Sequence, residues 1–176
     1  MPANMMNALF SEQMHPVIGL GAVANAFAGT VSSQAVNLQD FKKVIFVYHK
    51  AVGATGTATL IIEACTTAAG ANNTAIPFYW RPYLGTGSST DLPTSNPALA
   101  ASTGITTTAG SNQLYVLEAA EGALWNVSSD QDIGTYKYVR LTSTEVVASA
   151  VLGGILIFLG APQYAGTLNP PRSVIV

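Results

Sequence analysis

Residues 41–66 set two long apolar runs, FKKVIFVYHK and TATLIIEACT, on either side of the small-residue turn AVGATG. Runs of β-branched and aromatic residues around a short glycine-containing break specify strands. The second run alternates, with Ala58, Leu60, Ile62 and Ala64 against Thr57, Thr59 and Glu63, as a strand with one face on a core does. The first is apolar on both faces, Val44, Phe46 and Tyr48 against Ile45 and Val47. Two-sided apolarity marks a central strand covered on both sides.

The remaining segments extend this pattern. Residues 35–38 read as a short strand, and residues 113–119 and 136–142 as longer ones. Residues 76–84 (IPFYWRPYL) carry Pro77 and Pro82, which confine them to a sheet edge or an extended, ligand-like segment. Residues 146–161 lack charge but are shorter than the ~20 residues a membrane-crossing helix needs. They read as two buried strand segments divided at Gly153-Gly154. Residues 85–111, dominated by Gly, Ser, Thr, Pro and Ala, read as a long surface loop with one short strand near Ile105. Short strands with turn signals between them predict an all-β single domain over residues 34–165, an antiparallel β-sandwich or jelly roll. Its expected core contains Val44, Phe46, Leu60, Ile62, Val116, Val139, Leu141, Ile155 and Ile157.

Residues 1–33 carry one charge, Glu12, and show no sustained strand alternation. Residues 4–14 fit a short helix with Met5, Met6, Leu9 and Phe10 largely on one side, ended by Pro16. The rest reads as an extended arm. Met and Phe make adaptable apolar contacts, so Met5, Met6, Leu9, Phe10 and Phe27 are the expected anchors of this arm on other protein chains. Residues 166–176 read as a C-terminal tail in which Pro170-Pro171 blocks regular structure.

The 176 residues hold only 7 Lys+Arg, 9 Asp+Glu and 2 His, against a usual charged share of about a quarter. Acid–base and metal chemistry need titratable groups brought together, so the expectation is a protein without catalytic, metal or cofactor sites. A net charge of −2 leaves no electrostatic footprint for nucleic acid. The stretch VIGLGAVANAF spaces Gly19, Gly21 and Ala24 like a dinucleotide-binding turn, with Asp40 downstream. That turn needs a strand before it and a helix after it, and Pro16 leaves only Val17 and Ile18 for the strand. His15 and His49 have no carboxylate at ligand spacing. Glu118, Glu121, Asp130 and Asp132 read as a solvated turn. Cys65, the sole cysteine, falls in an apolar strand and reads as a buried thiol. No Lys or Arg precedes Phe41, so the basic start of a secretion signal is missing.

Two aromatic and basic groups stand out as contact candidates: Tyr136, Tyr138 and Arg140, placed on an outer face if Val139 and Leu141 face inward, and Trp80, Arg81 and Tyr83. Tyr, Trp and Arg are enriched at protein–protein contacts. Low charge suits a chain whose surface is covered by partners.

The order of segments resembles a family of small virion proteins of tailed bacteriophages, commonly encoded near the major capsid protein. The residues that carry the likeness are the pair Lys42-Lys43 opening a strand, the T-x-T-L run of residues 57–60, the V-R-L run of residues 139–141, and the P-x-Y-A run of residues 162–165. It spans roughly residues 36–167. The resemblance implies a virion structural role, a capsid decoration or cement protein assembled in the bacterial host cytoplasm, with the major capsid protein and copies of itself as partners, and without membrane or nucleic acid. The alternatives are a neck or tail component, or a carbohydrate- or receptor-binding sandwich using residues 78–83.

Overall fold

A computed structural model describes residues 10–51, 53, 55–84, 96–120 and 136–162. A single helical turn, α1 (Phe10–Gln13), leads into strands β1 (Met14–Val23), β2 (Thr30–Ser32), β3 (Val36–Asn37), β4 (Phe41–Lys50), β5 (Thr57–Cys65) and β6 (Thr74–Ile76). These are followed by β7 (Phe78–Leu84), β8 (Ala98–Ala100), β9 (Ile105–Thr106), β10 (Gln113–Ala120), β11 (Tyr138–Val147) and β12 (Gly153–Pro162). Two six-stranded sheets result. The first, sheet A, has the order β1-β12-β4-β10-β7-β8. The second, sheet B, has the order β2-β11-β5-β6, with β3 also on β11 and β9 on β5.

The pairings nest. β1 pairs with β12, β2 and β3 with β11, β4 with β10, and β5 with β6, all antiparallel. The chain is thus one long hairpin closed at the β5–β6 turn and wrapped so that its pairs fall alternately in the two sheets. This is jelly-roll connectivity, the double-sheet solution that all-β chains use to limit exposed edges. Strands β7, β8 and β9 interrupt the plan between β6 and β10, widening sheet A by two strands and adding β9 to sheet B.

The sheets meet over one core. Val44, Phe46, Tyr48, Tyr115, Leu117, Ile155, Ile157 and Leu159 come from sheet A, and Leu60, Ile62, Val139 and Leu141 from sheet B. Each of these is at most 1% exposed. β4 lies between β12 and β10 in the interior of sheet A, the central position expected of it, but only its Val44, Phe46 and Tyr48 side faces the core, so the expected cover on both sides is not met within the single chain. Glycine is required where β12 begins: a Cβ on Gly153 would collide with the His49 carbonyl oxygen and sit 2.6 Å from the Phe27 ring.

The structure corrects several expectations. Residues 14–33 are not an arm, because β1 and β2 are members of the two sheets. Their alternation is hidden in the sequence because glycine holds an inward position of β1. A Cβ on Gly19 would lie 2.8 Å from the Ile157 side chain, so the closeness of β1 to the core demands glycine there. The same fact disposes of the dinucleotide reading, since Gly19 and Gly21 lie within a strand and no helix follows. The expected helix over residues 4–14 is the one turn α1 in its described part. Phe27 is no arm anchor: it is 4% exposed and belongs to the core. Val116 is misassigned by one residue, because Tyr115 and Leu117 face inward and Val116 outward. The expected strand over residues 76–84 is broken at Pro77, where the chain leaves β6 in sheet B for β7 in sheet A. The break expected within residues 146–159 comes earlier, since β11 runs to Val147 and Gly153-Gly154 open β12.

Candidate assembly surface

Because side chains alternate across a strand, the buried positions of sheet A fix which residues point away from the core. On β4 these are Ile45, Val47 and His49, on β10 Leu114, Val116 and Glu118, and on β12 Leu156 and Phe158. β1 contributes Pro16 and Ile18, β7 contributes Tyr79, Arg81 and Tyr83, and β8 contributes Leu99.

Strand register arranges them in rows. One row runs Ile18–Leu156–Val47–Val116–Arg81, each residue directly opposite the next on the adjacent strand. The neighbouring row runs Pro16–Phe158–Ile45–Glu118–Tyr79–Leu99. The outer face of sheet A is therefore predominantly apolar, interrupted by Glu118 on β10 and Arg81 on β7. Ile18 is 65% exposed, Leu99 63%, Tyr79 56% and Leu156 47%. Glu118 forms an ion pair with Lys43 at one end of the face. Phe10, itself exposed, sets its ring edge-on to Phe158 at 5.4 Å, so α1 passes beside this face. An apolar patch of this breadth is uncommon on a free monomer.

The outer face of sheet B has the opposite chemistry. Thr30, Thr144, Thr59 and Thr106 stand in one row across β2, β11, β5 and β9. Their hydroxyls pair along it, Thr30 with Thr144 at 3.4 Å and Thr59 with Thr106 at 3.3 Å. Farther along the sheet, the Glu63 carboxylate accepts from Arg140 Nε at 2.7 Å, Thr142 Oγ1 at 2.6 Å and Asn73 Nδ2 at 2.7 Å. Burial raises the Glu63 carboxyl, but these three donors outweigh it and hold the group below the usual carboxylate range. Arg140 is thus committed to a bond within its own sheet.

One end of the sandwich is closed by a buried lysine. Lys50 is 1% exposed, and its ammonium donates to the carbonyls of Gly56 at 2.6 Å and Thr108 at 3.0 Å. Beside it the Tyr115 hydroxyl accepts from the Thr108 amide at 2.8 Å, and the Gln113 amide donates to the Ala109 carbonyl at 3.1 Å. These bonds tie the segments after β4 and β9 to this end of the sandwich. The void next to Lys50 measures about 10 Å³, the volume of one water and far below that of a substrate pocket. Cys65 is buried, and desolvation pushes its thiol up to about 11. Among the described residues no group of three or more His, Cys, Asp and Glu is placed to hold a metal ion.

The residues singled out in the sequence therefore part company. Trp80 packs against the core, whereas Arg81 and Tyr83 point outward on sheet A beside Tyr79. Tyr138 and Arg140 lie on sheet B, and Tyr136, ahead of β11, packs on the core with its hydroxyl 3.3 Å from that of Thr74. Met5, Met6 and Leu9 lie outside the described residues, as do residues 85–95, Glu121, Asp130, Asp132 and residues 163–176. Ile18, Leu99, Leu114 and Leu156 were not anticipated as surface residues. The signal was present in the outward Ile45 and Val47 of a strand whose cover had to come from somewhere.

Compared with protein-family models, with curated proteins and with solved structures, the chain finds no match in any of the three.

Proposed function

We propose that the chain is a non-enzymatic virion structural protein, a capsid decoration or cement protein that binds and stabilises a phage shell. The observation that carries the reading is the outer face of sheet A, predominantly apolar over its six strands in a chain with few charges to keep it solvated. A protein that works inside an assembly has this surface, and a free monomer is selected against it. Of the segments that resemble the phage virion family, those at residues 42–43, 57–60 and 139–141 lie on β4, β5 and β11, and Pro162 ends β12, while residues 163–165 lie outside the described residues. The arm that first suggested cementing gives no support from residue 14 onward, because that part belongs to the sandwich. Jelly rolls serve both as viral shell domains and as lectins, so the fold by itself is neutral between these. Against the sugar-binding alternative stands Trp80, whose ring turns inward and is lost to any stacking platform.

The test is quantitative mass spectrometry of purified virions of the phage that encodes the chain, followed by a particle density map. The chain is expected in copy number comparable to the shell protein and located on the shell. Its absence from virions overturns the proposal, and a few copies at the portal vertex replace it with the neck or tail reading.

A further inference from the structure

The breadth of the apolar face allows its occupant to be named. The ends of sheet A are unsuited to edge-on assembly. β1 carries Pro16, which removes a donor from the edge strand, and β8 at the opposite edge is only three residues long. Proline and short strands are the devices by which sheets refuse further strands. The face has no such protection, so a partner meets sheet A face-on, as sheets stack about 10 Å apart.

With strands roughly 4.8 Å apart and outward rows about 6.6 Å apart along them, each outward position covers about 32 Å², and the fourteen outward residues present about 450 Å². Two such faces together bury about 900 Å², the size of a weak, concentration-dependent contact. The two rows are also self-complementary. A two-fold axis lying across the strands, between them, sets Leu156 on the second copy's Phe158 and Val47 on its Ile45. The same axis sets Arg81 on the second copy's Tyr79 and beside its Glu118. The contact thereby sets opposite charges beside each other.

We propose that the outer face of sheet A is an isologous dimer interface, occupied by the same face of a second copy of this chain. This rests on reading that face as an assembly surface and adds the identity of its partner.

Sedimentation equilibrium of the purified full-length chain tests it. A dimer is expected at micromolar concentration. Leu156→Asp is expected to weaken association at least a hundredfold while leaving the far-UV spectrum intact. Ile18→Asp, on the exposed edge strand, provides a second variant if the first fails to fold. Arg81→Glu is expected to weaken the dimer about tenfold, and adding Glu118→Arg to recover most of the loss. A wild-type chain monomeric at 100 µM (about a hundred times the expected dissociation constant, ~8 kcal/mol at 1 µM) overturns the proposal. So does a dimer indifferent to both Asp variants. A monomeric chain that is nonetheless abundant on shells refutes the dimer and leaves the shell reading standing, whereas a dimer absent from virions does the reverse.

Discussion

The ring of Phe27 stacks on that of Tyr48 with centroids 4.2 Å apart and planes inclined by 27°. The pair closes the core between the turn after β1 and the middle of sheet A, and the Ala26 amide fixes that turn by donating to the Val151 carbonyl at 2.8 Å. Phe27→Ala is expected to cost about 3–5 kcal/mol, read from urea unfolding, because it removes a buried aromatic from under Gly153. Deleting residues 1–33 is expected to abolish the cooperative transition altogether, since it takes β1 and β2 with it. A truncated chain with native stability would refute the placement of these strands.

Leu60 and Val116 supply a matched contrast. Leu60 is fully buried between the sheets, whereas Val116 points out from sheet A. Leu60→Ala is expected to destabilise by about 2–5 kcal/mol and Val116→Ala by under about 1 kcal/mol in the isolated monomer. Equal losses at the two positions would mean that β10 is out of phase.

Lys50 gives stability an alkaline dependence. Burial pushes its ammonium below the ordinary 10.5. Below that depressed value both folded and unfolded chains hold the proton, and the fold bears the cost of the buried charge. As pH rises from there towards 10.5, the folded chain releases the proton first, the unfolded chain binds more, and stability increases. Relative to Lys50→Met, wild type is therefore expected to gain unfolding free energy across this window. A difference that stays flat up to pH 10.5 would sink the assignment.

Glu63 acts in the acid range with the opposite sense. Its folded-state pKa lies below the ordinary 4.5, so the stability it contributes is complete above that value. It is lost as pH falls through the depressed value and the carboxylate gives up its bonds to Thr142, Arg140 and Asn73. Glu63→Gln is expected to be less stable than wild type at pH 7 and to converge with it near pH 2. Urea midpoints collected from pH 7 to pH 2 check this, and a constant gap would contradict it.

The central strands were legible because β4 and β5 are long and built from β-branched and aromatic residues, where period and propensity agree. Eight of the nine expected core residues are buried, and the exception, Val116, shows where the pattern fails. On a strand apolar on both sides, alternation does not set the phase, and here Gln113 takes an inward place by hydrogen bonding to Thr108 and Ala109. β1 escaped notice for a related reason: Gly19 fills an inward position that an apolar side chain usually marks. The outer face of sheet A is half visible in the sequence. Residue type picks out Tyr83 and Arg81, which point outward there, whereas Trp80 packs on the core, because a proline-containing strand does not reveal its phase. The apolar row through Ile18 and Leu156 depends on pairing between strands far apart in the chain, which no local pattern reveals.

Nesting has a consequence for biosynthesis. The first strand of the sandwich, with Met14 opposite Gly160, finds its partner only in the last. While the chain is still being translated, β1 has no neighbour to its own side of the sheet, and the inner β5–β6 hairpin is complete long before the outer pair. Folding of the sandwich must therefore await synthesis of β12, and it closes its largest loops last, a topology that is intrinsically slow. Until β12 is in place, both the core and the outer apolar rows of sheet A are open to solvent, which exposes the unfinished chain to aggregation however stable the finished domain is.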